Sequence, residues 1–199
     1  STIYGVPYFD ADAALVSAQS VNRSLVIYGN NVGSGQMFTD LTRYYDDLAF
    51  LKEHPVIEMN TIYHNAKWKV FSVMVVASPE DGGFDYTRNT FSDETDFLNF
   101  AGEIRIRSLY AFPDGLVDVQ EGDSLLMLST SFHDVAGFDG ARLVVAARQV
   151  REGEQETVDL GGVTYNSDAV MPNGWKGVSS EVKDITTTRP SGSAITRGT

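Results

Sequence analysis

The sequence predicts a mainly β fold, a closed or partly open β-barrel with helical insertions. Three observations carry this reading. Short runs rich in β-branched and aromatic residues recur along the chain, separated by turn residues. The hydrophobic period switches to a helical one in two connecting segments, after Met37 and after Ser92. Residues 124–149, SLLMLSTSFHDVAGFDGARLVVAARQ, read as strand, loop, strand, with apolar runs at 125–128 and 143–147.

The first ten residues hold IYGVPYF, a strand that Pro7 assigns to a sheet edge. Residues 25–28 form a short β-branched strand, and 29–35, GNNVGSG, a turn-rich loop. Phe38, Leu41, Tyr45 and Leu48 then recur at helical spacing, in a helix that must end before Pro55. Residues 56–59 and 67–77 are the strands of a hairpin connected through 61–65, the second alternating at Trp68, Val70 and Ser72. A loop occupies 78–90. Ser92 is placed to cap a helix whose first turn carries Asp93, Glu94 and Asp96, suited to the positive end of the helix dipole. Phe97, Phe100, Ile104 and Leu109 mark its apolar face. Beyond the break at 113–115, residues 116–120 read as a short strand and 121–123 as a turn. Residues 163–165 form a last short strand, and Trp175 in MPNGW pins the chain end to the body. The domain is expected to span 1–178. Residues 179–199, rich in Ser, Thr and Gly and without an apolar period, are expected to be a flexible tail.

A chain of 199 residues suits one domain with a sizeable core. Its net charge of -12 argues against nucleic acid and against adsorption to anionic lipid as partners. Cysteine is absent, which excludes disulfides, thiolate metal sites and a thiol nucleophile. The three His residues lack metal-ligand spacing, so neither a zinc site nor another cofactor is expected. The best apolar run, 70–77, is far too short to cross a membrane.

The chemistry centres on the two strands of 124–149. Neighbouring strands bring the end of the first, Ser131, close to the start of the second, Arg142. A nucleophile-sized hydroxyl then faces a guanidinium able to hold an oxyanion. Serine performs acyl transfer when a base takes its proton. His133 shares a face with Ser131 in an extended chain, which leaves a serine hydrolase open, although no G-x-S-x-G motif accompanies it. The plainer alternatives are that Ser131 simply ends a strand and that Arg142 pairs with Asp139 at the barrel rim. Asn30 sits in a Gly-rich turn and has no titratable proton, so it contacts a ligand or shapes the turn without acting as an acid. GNNVGSG lacks the G-K-[ST] of a phosphate loop.

LSTS, a loop and ARLVV resemble the signature of class B sortases, the transpeptidases of Gram-positive cell surfaces, in which L-S-T-Cys and a loop precede an Arg that opens the next strand. LVIYGNNVGSGQMFTDLTRYYDDLAFLKEHPVI, at 25–57, is similar to that family's Y-G-His-N segment and following helix. The resemblance runs from about Tyr4 to Trp175. It places Ser131 at the nucleophile position in place of Cys, Asn30 at the position of the catalytic His, and Arg142 in the oxyanion and substrate-positioning role. Tyr86 and Thr87 of FDYTRNTF, with Ser129 and Thr130, match substrate-binding positions of the groove. The resemblance implies a sortase-type barrel, a sorting-signal peptide as substrate, and a cell-wall or pilin amine as acceptor. It also implies a place at the extracellular face of the cell membrane, reached through an N-terminal anchor not present here. The family's helix and two barrel strands that precede the segment matching 3–10 have no counterpart in this sequence. With Cys and His substituted, the chain is expected to be an inactive sortase scaffold. The alternative is a non-catalytic peptide-binding module on that scaffold.

Overall fold

The structure, a computed structural model, describes residues 8–9, 23–29, 31–32, 36–60, 65–77, 83–132, 140–173 and 175. The longest strand organises it. This strand, β6 (Asn65–Val76), is buried from Trp68 through Val76 and therefore covered on both faces. It pairs antiparallel with β5 (Val56–Asn60) on one side and with β9 (Arg142–Gln149) on the other. In turn β9 pairs antiparallel with β8 (Leu125–Ser131), and β8 runs parallel to β2 (Ser24–Tyr28). The edge strand β1 (Tyr8–Phe9) completes a six-stranded sheet of order β1-β2-β8-β9-β6-β5. The sheet curls into a half-barrel, so of the two expected forms the partly open one is present. Of the first ten residues, β1 is described, and it lies at the sheet edge as expected.

The alternation expected along β6 is interrupted. Its register against β9 shifts between Val70 and Ser72, a bulge that brings one extra residue into the strand. Ser72, then fully buried, donates its hydroxyl to the Ile104 carbonyl at 3.1 Å. That bond ties β6 to α3 (Glu94–Ile106), whose Phe97, Phe100, Ala101 and Ile104 are buried at the expected helical spacing. The cap of α3 differs from expectation by one residue. Asp93 is the N-cap, its carboxylate accepting from the Asp96 amide at 2.9 Å, and Ser92 instead donates its amide and hydroxyl to the Asp96 carboxylate. A carboxylate at the cap meets both the free amides and the positive helix end, which is why it takes the position. Asp93→Ala is expected to cost about 1 kcal/mol, roughly 2–4 °C in thermal midpoint for a chain of this size, readable by calorimetry.

The helix expected after Met37 forms in three pieces: a 3-10 turn (Phe38–Thr42), α1 (Arg43–Asp46) and α2 (Leu48–Glu53). Asp47 breaks it, accepting the Phe50 amide on its side chain at 2.9 Å and so capping α2. The whole unit ends before Pro55, as expected. Residues 29–35 are not wholly loop, because β3 (Asn31–Val32) pairs with β4 (Gln36–Met37) in a short hairpin. No strand forms at 116–120. Those residues turn, Val117 has φ 50°, and Asp123 accepts the Gln120 amide at 2.7 Å. The short strand near Tyr165 does form: β10 (Thr164–Tyr165) pairs with β7 (Tyr110–Ala111). The hairpin connection 61–64 and the tail 179–199 lie outside the described residues.

Candidate functional site

The C-terminal ends of β2 and β8 and the start of β9 meet at one end of the sheet. Parallel pairing sets Tyr28 beside Ser129, and antiparallel pairing sets Ser131 directly across from Arg142. Cross-strand partners point to the same face, and so do residues two apart. Ser129, Ser131 and Arg142 therefore share a face. Ser131 and Arg142 are partly exposed, whereas Ser129 is fully buried. The expected juxtaposition of a hydroxyl and a guanidinium is present.

The surroundings of Arg142 are specific. Its Nε donates to the Ser129 hydroxyl oxygen at 2.8 Å, and that oxygen lies 3.0 Å from the Tyr86 hydroxyl. The guanidinium carbon sits 5.1 Å from the centre of the Tyr28 ring, a cation–π distance. Among the described residues no carboxylate pairs with Arg142. Asp139, the ion-pair partner considered from sequence, lies outside the described residues, as do Asn30 and His133. Tyr86 reaches the site because its loop returns tightly to the sheet. A Cβ on Gly83 would stand 2.2 Å from the Ala77 carbonyl oxygen, so only glycine allows that approach.

The strand end that leads to Asn30 is held as firmly. The Gly29 amide donates to the Ser129 carbonyl at 3.1 Å, and the Gly29 carbonyl accepts the Thr130 hydroxyl at 2.8 Å. A Cβ on Gly29 would meet the Phe38 ring at 2.5 Å. Thr130 thus faces away from Ser131, fully buried, and fastens β8 to the Gly29 turn. Thr87 spends its amide and hydroxyl on the Asp85 carboxylate, at 3.1 and 2.6 Å. No contact joins Thr87 to Ser129, Ser131 or Arg142 among the described residues.

Sequence reasoning gave Tyr28, Tyr45 and Phe132 no part in the site. Phe132, next after Ser131, lies between Tyr45 at 4.7 Å and Trp175 at 6.5 Å between ring centres. Trp175 thus packs on the body as expected, and it does so one residue from Ser131. The Tyr110 hydroxyl donates to the carbonyls of Tyr44 and Tyr45, fixing the helical segment behind this stack, and burial pushes that phenol well above its ordinary pKa. An aromatic residue after the nucleophile position and another before Gly29 were the available signals.

Among the described residues no group of three His, Asp or Glu side chains converges as a metal site requires, and no helix is long and apolar enough to cross a membrane. A polar cleft of about 620 Å³ lies elsewhere, lined by Glu58, Lys67, Gln149, Arg151, Glu152 and Glu156 among others. It opens at the far end of β9, about 23 Å along the strand from Arg142.

No family model matches the chain. Sortase B of Listeria monocytogenes is 27% identical over 130 residues, which are 65% of this chain and 49% of that protein. This chain thus spans about half the length of its curated relative. Among solved structures, a Staphylococcus aureus sortase B–substrate complex matches with a TM-score of 0.61 at 25% identity, over 75% of this chain and 63% of that one. A Bacillus anthracis protein described as similar to sortase B matches with a TM-score of 0.59 at 28% identity, over 74% of this chain and 60% of that one.

Proposed function

We propose that this chain, a class B sortase homologue in sequence and fold, recognises sorting-signal peptides at a Gram-positive cell surface without turning them over. The observation that carries the reading is the pairing of Ser131 with Arg142 at an accessible strand end. A backbone carbonyl of a bound peptide can accept from the Nη groups of Arg142, which no described carboxylate occupies. The family reaction needs a thiolate to attack the peptide carbonyl and an acid to protonate the departing amine, and Ser131 and Asn30 supply neither. Among the described residues no base stands within hydrogen-bond reach of Ser131 to remove its proton. Thr130 and Tyr86, although matched to groove positions, are buried, so Thr130 fixes the turn before Asn30 and Tyr86 acts through Ser129. Thr87, matched to a groove position by the resemblance, spends its hydrogen bonds on Asp85. In this reading a cell-wall or pilin amine would be the acceptor in active relatives, and a membrane anchor would tether the domain to the extracellular face.

Titration with a panel of Asn-Pro-type and Leu-Pro-type sorting peptides tests this. Trp175, stacked on Phe132, the residue after Ser131, is the fluorescent reporter, and Trp68 is replaced by Phe to remove the only other indole. Saturable binding is expected, with no acyl-enzyme by mass spectrometry. Arg142→Ala should weaken that binding by about 10–100-fold, the loss of charge-assisted hydrogen bonds. A panel without a single binder overturns the recognition half of the reading, and an acyl-enzyme on Ser131 overturns the inactive half.

A further inference from the structure

The resemblance to the sortases assigns Ser129 and Tyr86 to the substrate, yet both are buried. Ser129 is 0% exposed and Tyr86 is 1% exposed. What they touch is Arg142 and each other. We propose that Tyr86 and Ser129 are positioning residues that hold the Arg142 guanidinium in place beside Ser131, in a clamp that Tyr28 completes from the ring side.

The hydrogen-bond logic of the clamp is directional. Nε–H is only a donor, so the Ser129 oxygen accepts it. The Tyr86 hydroxyl engages the same oxygen from the other side, which fixes the serine rotamer and keeps its lone pair aimed at Nε. Tyr28 lies against the guanidinium at a cation–π distance and restricts its swing about the Cδ–Nε bond. An arginine side chain otherwise loses much rotamer entropy when it is ordered on a ligand, and a guanidinium held beforehand loses less. Using Nε for the protein leaves the Nη groups, the outer end of the fork, which no described residue engages, to meet a peptide carbonyl. The Tyr86 segment is in turn held to the sheet by the Gly83–Ala77 approach, so a loop 43 residues from Ser129 sets the geometry of Arg142.

This clamp rests on the peptide-recognition reading for its purpose but not for its existence, and its test separates the two. In the isotope-labelled chain, the Arg142 Nε–Hε signal is assigned by its disappearance in Arg142→Lys. Its hydrogen exchange is then measured in Ser129→Ala and Tyr86→Phe. Ser129→Ala should speed exchange by about tenfold, the scale of one hydrogen bond, and Tyr86→Phe by a smaller factor in the same direction. Ser129→Thr, which restores the hydroxyl, should slow it again. A purely structural pair of side chains would leave Hε exchange unmoved while lowering stability, and that result overturns the proposal. Should Ser129→Ala fail to fold, Tyr86→Phe, which removes a single oxygen, decides alone. Where a peptide binds, Tyr86→Phe should weaken it in the parent and have no further effect in Arg142→Ala. Equal weakening in both backgrounds also overturns the clamp. Absence of any binding peptide would count against the recognition reading and leave the exchange result standing.

Discussion

Arg148→Ala is expected to lower the thermal midpoint by roughly 6–20 °C, the largest stability effect of any single substitution considered for this chain. Arg148 is only 1% exposed and lies in β9, within the sheet. Its Nε donates to the Asp118 carbonyl at 3.0 Å, Nη1 to the Gln149 carbonyl at 2.9 Å, and Nη2 to the Glu154 carboxylate at 2.8 Å. Lys69 reaches the same carboxylate at 2.7 Å, and Arg151 binds Asp123 through two donors at 2.8 Å. Three cations, Lys69, Arg148 and Arg151, thus face three carboxylates, Asp118, Asp123 and Glu154, around the turn that follows β9. Removing one partner from such a cluster leaves charge and carbonyls buried without compensation, which costs about 3–5 kcal/mol. That is a large part of the roughly 5–15 kcal/mol by which a domain is stable. A midpoint unchanged within experimental error would show that the cluster relaxes to solvent and contributes nothing.

The same cluster sets an acid limit. Hydrogen bonds from Arg148, then from Lys69, hold the Glu154 carboxyl well below the usual carboxylate range, against the opposing effect of burial. A depressed folded-state pKa means that the unfolded chain takes up the proton first. The stabilisation is therefore fully present above the ordinary glutamate range and is lost progressively as pH falls from about 5 toward the folded value. Denaturant midpoints followed from pH 7 to pH 3 should fall, and Glu154→Gln should flatten the fall. An unaltered pH profile in that variant would assign the acid sensitivity elsewhere.

How much of this was legible in the sequence depended on the range of the interaction. The pairing of Ser131 with Arg142 was legible because two apolar runs follow each other closely in sequence, and a period of two fixes which side chains share a face once the strands pair. The apolar face of α3 was legible for the same reason, at a period of 3.6. Leu109 lies beyond the last turn of α3, yet it is buried because its amide binds the Val73 carbonyl at 2.7 Å. The helix after Met37 was overread because its apolar spacing continues across Asp47, whose side chain offers the backbone a competing cap. Residues 116–120 looked like a strand by composition, but Arg105, from α3, takes the Val117 carbonyl at 2.7 Å and the segment turns. Ser129 and Tyr86 show the deepest limit. Sequence resemblance marks both as part of the groove, and only burial together with the Arg142 bond separates a substrate contact from a residue that orients one.

If Ser131 and Asn30 occupy the nucleophile and acid positions as proposed, the double replacement Ser131→Cys with Asn30→His is expected to produce the largest change in activity. On that reading the parent chain lacks two distinct chemical contributions. A hydroxyl without a base is un-ionised near neutral pH, whereas a thiol beside a cationic group is partly thiolate. Arg142, directly across from position 131, supplies such a cation, so a cysteine at 131 would meet a guanidinium on the neighbouring strand. Asn30 cannot protonate a leaving amine, and general acid help of that kind supplies about 10²–10⁴-fold. Gly29, which follows β2 and is held by Ser129 and Thr130 through backbone and side-chain bonds, anchors the chain immediately before position 30. The doubly reverted chain should therefore form an acyl-enzyme with a sorting peptide and exceed the parent rate by at least that factor. Each single reversion should fall well short of the pair, because nucleophile and acid act in one reaction. Mass spectrometry of the peptide adduct, with product release followed by chromatography, gives the readout. An adduct on the parent chain would show that Ser131 reacts unaided. A reverted chain that is folded, binds peptide and still forms no adduct would show that the two side chains are insufficient, and that a part of the barrel beyond them is needed to bring the histidine to the thiol.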